Sequence, residues 1–477
     1  MYKFDLNTPA HIHFIGIGGI SMSGLALLLL SKGFKISGSD EASNEITENL
    51  ASHGAIISKG HFKKNITDDL DAVIYTGAIS ENNPEIVAAK ENQIPLITRG
   101  VLMGMIMKHY RHAVGISGTD GKTTTTSLLS MMLDNACFNP TISVGGIIPA
   151  LNTNFKIGSE DYFVVESCEY TNSFLDFSPT DIIILNIRED HLDFFKDIDD
   201  IRNSFKKFSC LVPGTGLAVI NSEIPDYTEL FKDTKCHIKT YGLIENESSR
   251  VSDFNAAAAN ITYDECGRGS YDLYFDGKFM GQIKLNLIGR HNVSNSLAAI
   301  LMALNYDVPF SVIKETCAAF SGAKRRFEPK GTFNTVPVID DYAHNPSEIK
   351  ATLTGARAYN KRIVTVFQPH TYSRTKAFLH EFADALSLSD VVVLADIYAA
   401  REIDDGTVSS VSIYDLLKQK GKEVYYFSTF KKIENFLSTF LINNDMLITM
   451  GAGNVVNVGE ELLSGKFSTL STSGDNF

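Results

Sequence analysis

The chain has 477 residues, 44% hydrophobic and 21% charged, enough to bury ordinary cores and too many for one domain, so about three domains are expected. Its net charge of −13 argues against general affinity for nucleic acid and leaves room for local basic pockets that hold phosphates. The six cysteines are widely spaced with no Cys-x-x-Cys pair, no apolar run reaches the roughly 18 residues of a membrane span, and Met1-Tyr2-Lys3-Phe4-Asp5 leads into polar residues; a cytoplasmic protein without membrane insertion is expected.

From His11 to about Lys108, strand-like runs alternate with helical patterns: His11–Ile15, Lys35–Ser37, Ala72–Tyr75 and Pro95–Thr98 as strands, Ser21–Ser31 as the first helix. That alternation predicts βαβ units on a mostly parallel sheet. The first strand runs into Gly16-Ile17-Gly18-Gly19-Ile20-Ser21-Met22-Ser23-Gly24, and Gly38-Ser39-Asp40 ends the second. A nucleotide diphosphate fits such a helix N-terminus. The same residues also read as a dinucleotide fingerprint with an acid about 20 positions on, hence an oxidoreductase, although Ser21 stands where that fingerprint wants its third glycine. A plain tight turn is the remaining alternative.

A second series begins at Ala113–Ser117 and includes Tyr162–Val165, Asp181–Asn186 and Leu217–Asn221. Between the first of these and a helical segment lies Gly118-Thr119-Asp120-Gly121-Lys122-Thr123-Thr124. Glycines there let backbone N–H groups converge on phosphate oxygens, Lys122 reaches the terminal phosphates and the Thr123 hydroxyl suits Mg²⁺. The strict phosphate-loop spacing fails, since Ile116 stands where its first glycine belongs. The strand Phe163-Val164-Val165 ends in Glu166, beside that loop in an open parallel sheet, and Asp181–Asn186 leads to Arg188-Glu189-Asp190-His191-Leu192-Asp193. Residues 242–281 suggest a small antiparallel excursion before a Gly289–Leu304 helix that carries Asn292 and Asn295, amides suited to an adenine edge or to capping.

A third series follows Phe320-Ser321-Gly322, with strands Val336–Asp340, Arg362–Phe367, Val391–Ala395, Glu423–Phe427 and Asp445–Met450. Boundaries near residues 110 and 322 give domains 1–110, 111–322 and 323–477. The third opens with Lys324-Arg325-Arg326 and carries Asp340-Asp341-Tyr342-Ala343-His344-Asn345 and Gln368-Pro369-His370-Thr371-Tyr372-Ser373-Arg374, each just after a strand and so at one sheet edge. Asp396–Glu402 forms a further loop at that edge, and the tail after Leu463 is expected to fray.

Taken together these motifs resemble the Mur ligases, ATP-dependent amide-bond-forming enzymes of peptidoglycan synthesis, and within them the branch that adds L-alanine; the resemblance runs from about Ile12 to Gly453. It implies an α/β fold of three domains: a Rossmann-like first domain, a central phosphate-loop ATPase-like domain and a Rossmann-like third. It implies UDP-N-acetylmuramate, not NAD, at Gly16, Gly18, Gly19, Ser21, Met22, Asp40, Thr76 and Arg99. ATP falls to Gly118 through Thr124, Asn292, Asn295, Arg326 and Asp341, with Thr123, Glu166 and His191 as Mg²⁺ ligands. Lys122, Glu166, His191 and Arg326 become the catalytic set, and Tyr342, His344, His370 and Arg374 the L-alanine pocket. The rivals are a ligase that adds a preformed peptide to the same UDP-sugar, an NAD-dependent oxidoreductase and a nucleotide-operated switch.

The sequence departs from the family pattern in places. Asp120 stands where the alanine-adding ligases commonly have His, putting a negative charge near the triphosphate where it faces Mg²⁺ or solvent. Asn345 replaces a second histidine, and Cys168-Glu169-Tyr170-Thr171 replaces an acidic Asp-Glu-Ser-Asp stretch. Thr76-Gly77 stands where the family often shows Ser-Ser. Phe205, with Lys206 and Lys207 adjacent, stands where other Mur ligases carry a carbamylated lysine, so no carbamylation is expected.

Overall fold

The computed structural model describes residues 6–192, 194–245, 250–400 and 402–465; Met1–Asp5, Asp193, Arg401 and most of the tail lie outside them. Three sheets follow one another along the chain. The first holds β1 (His11–Ile15), β2 (Lys35–Asp40), β3 (Ile56–Lys59), β4 (Ala72–Tyr75) and β5 (Leu96–Thr98) in the order β3-β2-β1-β4-β5, all parallel. The strand order reverses at β1, so the glycine turn after β1 opens at the crevice where parallel sheets bind ligands.

The second sheet is larger than the sequence pattern suggests. It comprises β6 (His112–Ser117), β7 (Thr141–Ile148), β8 (Thr153–Lys156), β9 (Tyr162–Glu166), β10 (Asp181–Ile184), β11 (Leu217–Asn221), β12 (His237–Leu243), β13 (Ala256–Tyr263), β14 (Arg268–Phe275) and β15 (Lys278–Ile288). The order is β15-β14-β13-β12-β11-β10-β6-β9-β7-β8. Its centre is parallel, while β13, β14 and β15 pair antiparallel. The antiparallel excursion is therefore an extension of this sheet, and it starts at Ala256 because residues 237–243 are still a parallel strand.

The third sheet has β16 (Glu328–Phe333), β17 (Val336–Asp341), β18 (Arg362–Phe367), β19 (Val391–Leu394), β20 (Glu423–Tyr426) and β21 (Asp445–Met450), ordered β16-β17-β21-β18-β19-β20 with only β16 antiparallel. Parallel strands buried on both faces read as unbroken Val/Ile/Leu runs, which is why β10, β18 and β19 are legible in the sequence.

The helices that position the site are apolar on the sheet side. In the helix Lys122–Asn135, Leu128, Leu129, Met132 and Leu133 are at most 1% exposed, and in Arg290–Asn305 every residue from Leu297 to Ala303 is fully buried. A buried Leu of this kind contributes about 1.5–3 kcal/mol, so the loop in front of the first helix is held by its packing. The two helices lie side by side in one core with β6, β9 and β10. Among the described residues no helix is long and apolar enough to cross a membrane.

Candidate active site

The phosphate loop is bent by two glycines in the left-handed half of the φ range, Gly118 (φ 144°) and Gly121 (φ 84°). A side chain at Gly121 would also meet Asn295 Oδ1 at 2.5 Å, and one at Gly118 would meet Leu185 Cβ at 2.9 Å. The loop is thus closed in by β10 and the Arg290–Asn305 helix. Asn186, just past β10, fixes its middle: Asn186 Oδ1 accepts from Asp120 N at 2.8 Å and Asn186 Nδ2 donates to Asp120 O at 3.0 Å.

Lys122 begins the helix. Its ammonium turns back to the Gly118 and Thr119 carbonyls and pairs with Glu169 Oε2 at 3.0 Å. Burial disfavours that charge, but Glu169, Cys168 and Glu166 together more than offset it, and Lys122 stays protonated. Thr123 Oγ1 donates to Glu166 Oε1 at 3.0 Å, and Gly145 N donates to Glu166 Oε2 at 2.7 Å. A hydroxyl and a carboxylate side by side at a phosphate loop are hard oxygen donors of the kind Mg²⁺ takes. Among the described residues no three His, Cys, Asp or Glu side chains converge as a protein-only metal cage, so an ion here would complete its shell with phosphate oxygens and water.

His191 has a left-handed backbone (φ 54°), a strained state for a bulky residue. Its ring stacks on Tyr170 with centroids 4.4 Å apart, so the Cys168–Thr171 departure supplies a platform for it. Asp190 Oδ1 accepts from His191 N at 2.7 Å and pairs with Arg374 Nη2, from the third sheet's unit, at 3.2 Å. Burial raises the Asp190 carboxyl, but His191, Arg374 and His344 together hold it below the usual range.

Two cavities open into the seam between the second and third units. One, about 130 Å³, is lined by Thr123, Thr124, Asn292, Asn295, Arg326 and Asp341 among others. The amides of Asn292 and Asn295 bond Ile288 O and each other, and Gly289, not either Asn, occupies the helix N-cap. Arg326 is flanked by Arg325 (φ 62°) and Phe327 (φ 50°), a kinked connection that aims its guanidinium at Glu348 Oε1, 3.3 Å away. Asp341 accepts from Phe327 N, Ala343 N and Thr352 Oγ1, and burial, opposed by Arg326, pushes its carboxyl up to about 6. The second cavity, about 430 Å³, is lined by Asp190, His191, His344, His370, Arg374 and Glu402 among others. Arg374 Nη1 donates to His370 Nδ1 at 3.2 Å. Burial and the neighbouring His344 bring His370 down to about 4, so it is neutral with its proton on Nε2.

Several predicted residues fall elsewhere. Tyr342 does not line the second cavity; its ring lies beneath Arg325 and Arg326, 5.0 and 5.3 Å away. Asp120 faces the third unit, through Ser347 and Asn345, instead of open solvent. Phe205 is fully buried against Phe174 and Lys206 pairs with Asp233 at the surface. In the first unit Gly18 N donates to Asp40 Oδ2 at 2.9 Å, Arg99 Nη1 donates to Ser21 Oγ at 2.9 Å, and Thr76 Oγ1 accepts from Ala78 N. Gly16 (φ 76°) and exposed Gly19 shape the turn, while the Met22 side chain is in the core, leaving only its backbone for a ligand. The sequence reading missed Glu169, Asp190, Asn186 and Glu348. Asp190, Asn186 and Glu169 lay within stretches already in view; the pairings of Glu169 with Lys122 and of Glu348 with Arg326 join separate segments, which the sequence does not show.

Fold and seam together define a multidomain α/β enzyme with a phosphate loop at its central cleft. The chain belongs to the Mur ligase family. Residues 11–111 match the model of the Mur ligase family catalytic domain, 116–303 the Mur ligase middle domain and 325–453 the Mur ligase glutamate ligase domain. The UDP-N-acetylmuramate--L-alanine ligase of Lachnospira eligens is 53% identical over 97% of this chain and all of its own length, and that of Caldanaerobacter subterraneus is 45% identical over 97% and 99%. Among solved structures, the UDP-N-acetylmuramate-alanine ligase of Thermotoga maritima is 30% identical with a TM-score of 0.78, covering 95% of this chain and 98% of its own. A murein peptide ligase from Psychrobacter arcticus shares the fold at 23% identity and a TM-score of 0.70, covering 97% of this chain and 100% of its own.

Proposed function

We propose that the chain is an ATP-dependent ligase that joins L-alanine to the lactyl carboxylate of UDP-N-acetylmuramate, giving UDP-N-acetylmuramoyl-L-alanine for peptidoglycan synthesis. The observation that carries this reading is that both cavities open into one seam, the phosphate loop on one side and the Arg374–His370 pair on the other. The relatives' names give the substrates, and Arg374 gives the amino acid a guanidinium fork for its carboxylate.

In this scheme the first unit's glycine turn, with Asp40, Ser21 and Arg99, holds the UDP-sugar. ATP occupies the first cavity: adenine at Asn292 and Asn295, ribose at Asp341, and phosphates on the loop amides, Lys122 and Arg326. The lactyl carboxylate attacks the γ-phosphorus, forming an acyl phosphate and ADP. The alanine amine then attacks the acyl carbon, the amide forms and phosphate leaves. No enzyme nucleophile is needed. Lys122 and Arg326 neutralise the charge that would repel an incoming carboxylate, and the fixed cavities place the reactants. Thr123 and Glu166 would hold one Mg²⁺, with His191 toward a second; such ions supply charge neutralisation at the transferring phosphoryl group.

Phosphate release with ATP, Mg²⁺ and UDP-N-acetylmuramate, each amino acid or murein peptide added in turn, tests the proposal. Release that depends on L-alanine is expected. Release with a peptide and none with alanine would move the chain to the peptide-adding branch.

A further inference from the structure

The Asp120 side chain is only 18% exposed although it sits on a phosphate loop beside a cavity. Its Oδ2 pairs with Arg188 Nη1 at 3.0 Å and lies 3.0 Å from Ser347 Oγ; its Oδ1 accepts from Asn345 Nδ2 at 3.4 Å. The Ser347 hydroxyl, with one proton to give, is also 2.8 Å from Asn345 Oδ1. Asn345 is the N-cap of the helix Pro346–Ala356, its Oδ1 accepting from Glu348 N at 2.9 Å. The carboxylate therefore stands over the N-terminal end of an 11-residue helix of the third unit, where the helix dipole favours a negative charge.

That helix also carries the groups that hold the third unit's nucleotide residues. Glu348 pairs with Arg326 at 3.3 Å and with His344 at 3.2 Å, and Thr352 Oγ1 donates to Asp341 at 3.2 Å. Where its first turn rests on the phosphate loop decides where Arg326 and Asp341 stand relative to Lys122 and Thr123. Asp120 and Asn345 are both departures from the family pattern, and they meet each other across 225 residues of sequence.

We propose that Asp120 is a positioning residue: gripped by Ser347, Asn345 and Arg188, it pins the first turn of the Pro346–Ala356 helix onto the phosphate loop and so sets the register of Arg326 and Asp341 over the bound nucleotide. The contact itself is independent of the ligase reading, on which only its kinetic consequence rests.

A charge test with rescue separates these. Ser347→Asp sets a second carboxylate against Asp120, and adding Asp120→Asn removes the repulsion. Hydrogen exchange at the amides of residues 347–352, measured without substrates, should quicken in Ser347→Asp and return toward wild type in the double variant. In the ligase assay the apparent ATP constant should rise about tenfold in Ser347→Asp, the size of an unfavourable like-charge contact at a partly wet interface, and recover with Asp120→Asn, while the UDP-N-acetylmuramate constant stays put. Ser347→Ala, which cannot disturb folding through charge, should show a smaller shift of the same sign in both readouts. The clasp is overturned if the double variant is no better than Ser347→Asp, or if Ser347→Ala leaves both exchange and the ATP constant at wild type. An absence of any ligase activity with normal exchange rescue would overturn the functional reading and leave the clasp standing.

Discussion

The second unit is joined to its two neighbours by seams of opposite chemistry. Toward the first unit the seam is apolar: Leu102, Met103, Ile106 and Met107 of the helix Arg99–Met107 share one continuous core with Phe174, Phe177 and Phe205. Gly100 and Gly104 let this helix lie directly on residues 173–177, so closely that a side chain at Gly104 would meet Asp176 O at 2.1 Å. Toward the third unit, whose two cores contain, among the described residues, none before Phe327, the contacts that define the site are polar: Asp120 with Ser347 and Asn345, Asp190 with Arg374 and Lys324 N with Ile147 O. Apolar burial is lost in proportion to area when a seam opens, whereas the groups of a polar seam exchange protein partners for water. The first and second units therefore share one core, and the proposed reacting groups gather at the polar seam.

Changes on either side of these seams should separate cleanly. The largest effect is expected for Lys122→Ala: losing a cation that the transition state needs should cut phosphate release by about 1,000-fold, while calorimetric binding of UDP-N-acetylmuramate stays near wild type because its turn lies across the apolar seam. Turnover above about a hundredth of wild type would remove Lys122 from its role. Next comes Arg374→Ala, at the polar seam. A charge-assisted fork to a carboxylate is worth on the order of 2–3 kcal/mol, so the Michaelis constant for L-alanine should rise about 30- to 150-fold with the ATP and UDP-sugar constants little moved. A rise in the ATP constant alone would put Arg374 in the nucleotide site instead.

The apolar seam is tested by Gly104→Ala. The added methyl has backbone in its way, and overpacking of this kind costs about 1–3 kcal/mol; the thermal unfolding midpoint should fall, and a midpoint within error of wild type would show that the seam has slack. The smallest effect concerns pH. Asp341 titrates at about 6 in the folded chain against about 4 unfolded, so folding favours its protonated form. Stability from this group is fully present below about pH 4 and is lost as pH rises through 6. Asp341→Asn should flatten that part of the stability profile, and an unchanged slope between pH 4 and 6 would refute the assignment.

Much of this arrangement was legible in the sequence. The strands of the parallel sheets announce themselves as short apolar runs, and each glycine-bearing turn follows one, so the phosphate loop, Glu166, Asp341 and the His370–Arg374 segment could be placed at strand ends before any coordinates. The strands β3, β7, β8, β12 and β16 were not: Gly145-Gly146 interrupts the apolar pattern of β7, and Ile56–Lys59, Thr153–Lys156, Glu328–Phe333 and the first four residues of β12 are exposed or half-exposed. Nor were the roles of Glu169 and Glu348, whose cationic partners Lys122 and Arg326 are 47 and 22 residues away, although Glu348 also pairs with His344 four residues back. The stance of Asp120 depends on Ser347, 227 residues on, and periodicity carries no information about such a pair. Sequence pattern reports which face an element buries; it is silent on which polar groups meet when two separately folded units touch.

The account rests on a carboxylate attacking the γ-phosphate at the polar seam, and isotope transfer tests that directly. UDP-N-acetylmuramate labelled with ¹⁸O in both lactyl carboxylate oxygens is turned over with ATP, Mg²⁺ and L-alanine, and the released phosphate is examined by mass spectrometry. An acyl-phosphate route predicts one ¹⁸O in each phosphate formed and one retained in the amide. Unlabelled phosphate, or label appearing in AMP, would contradict it.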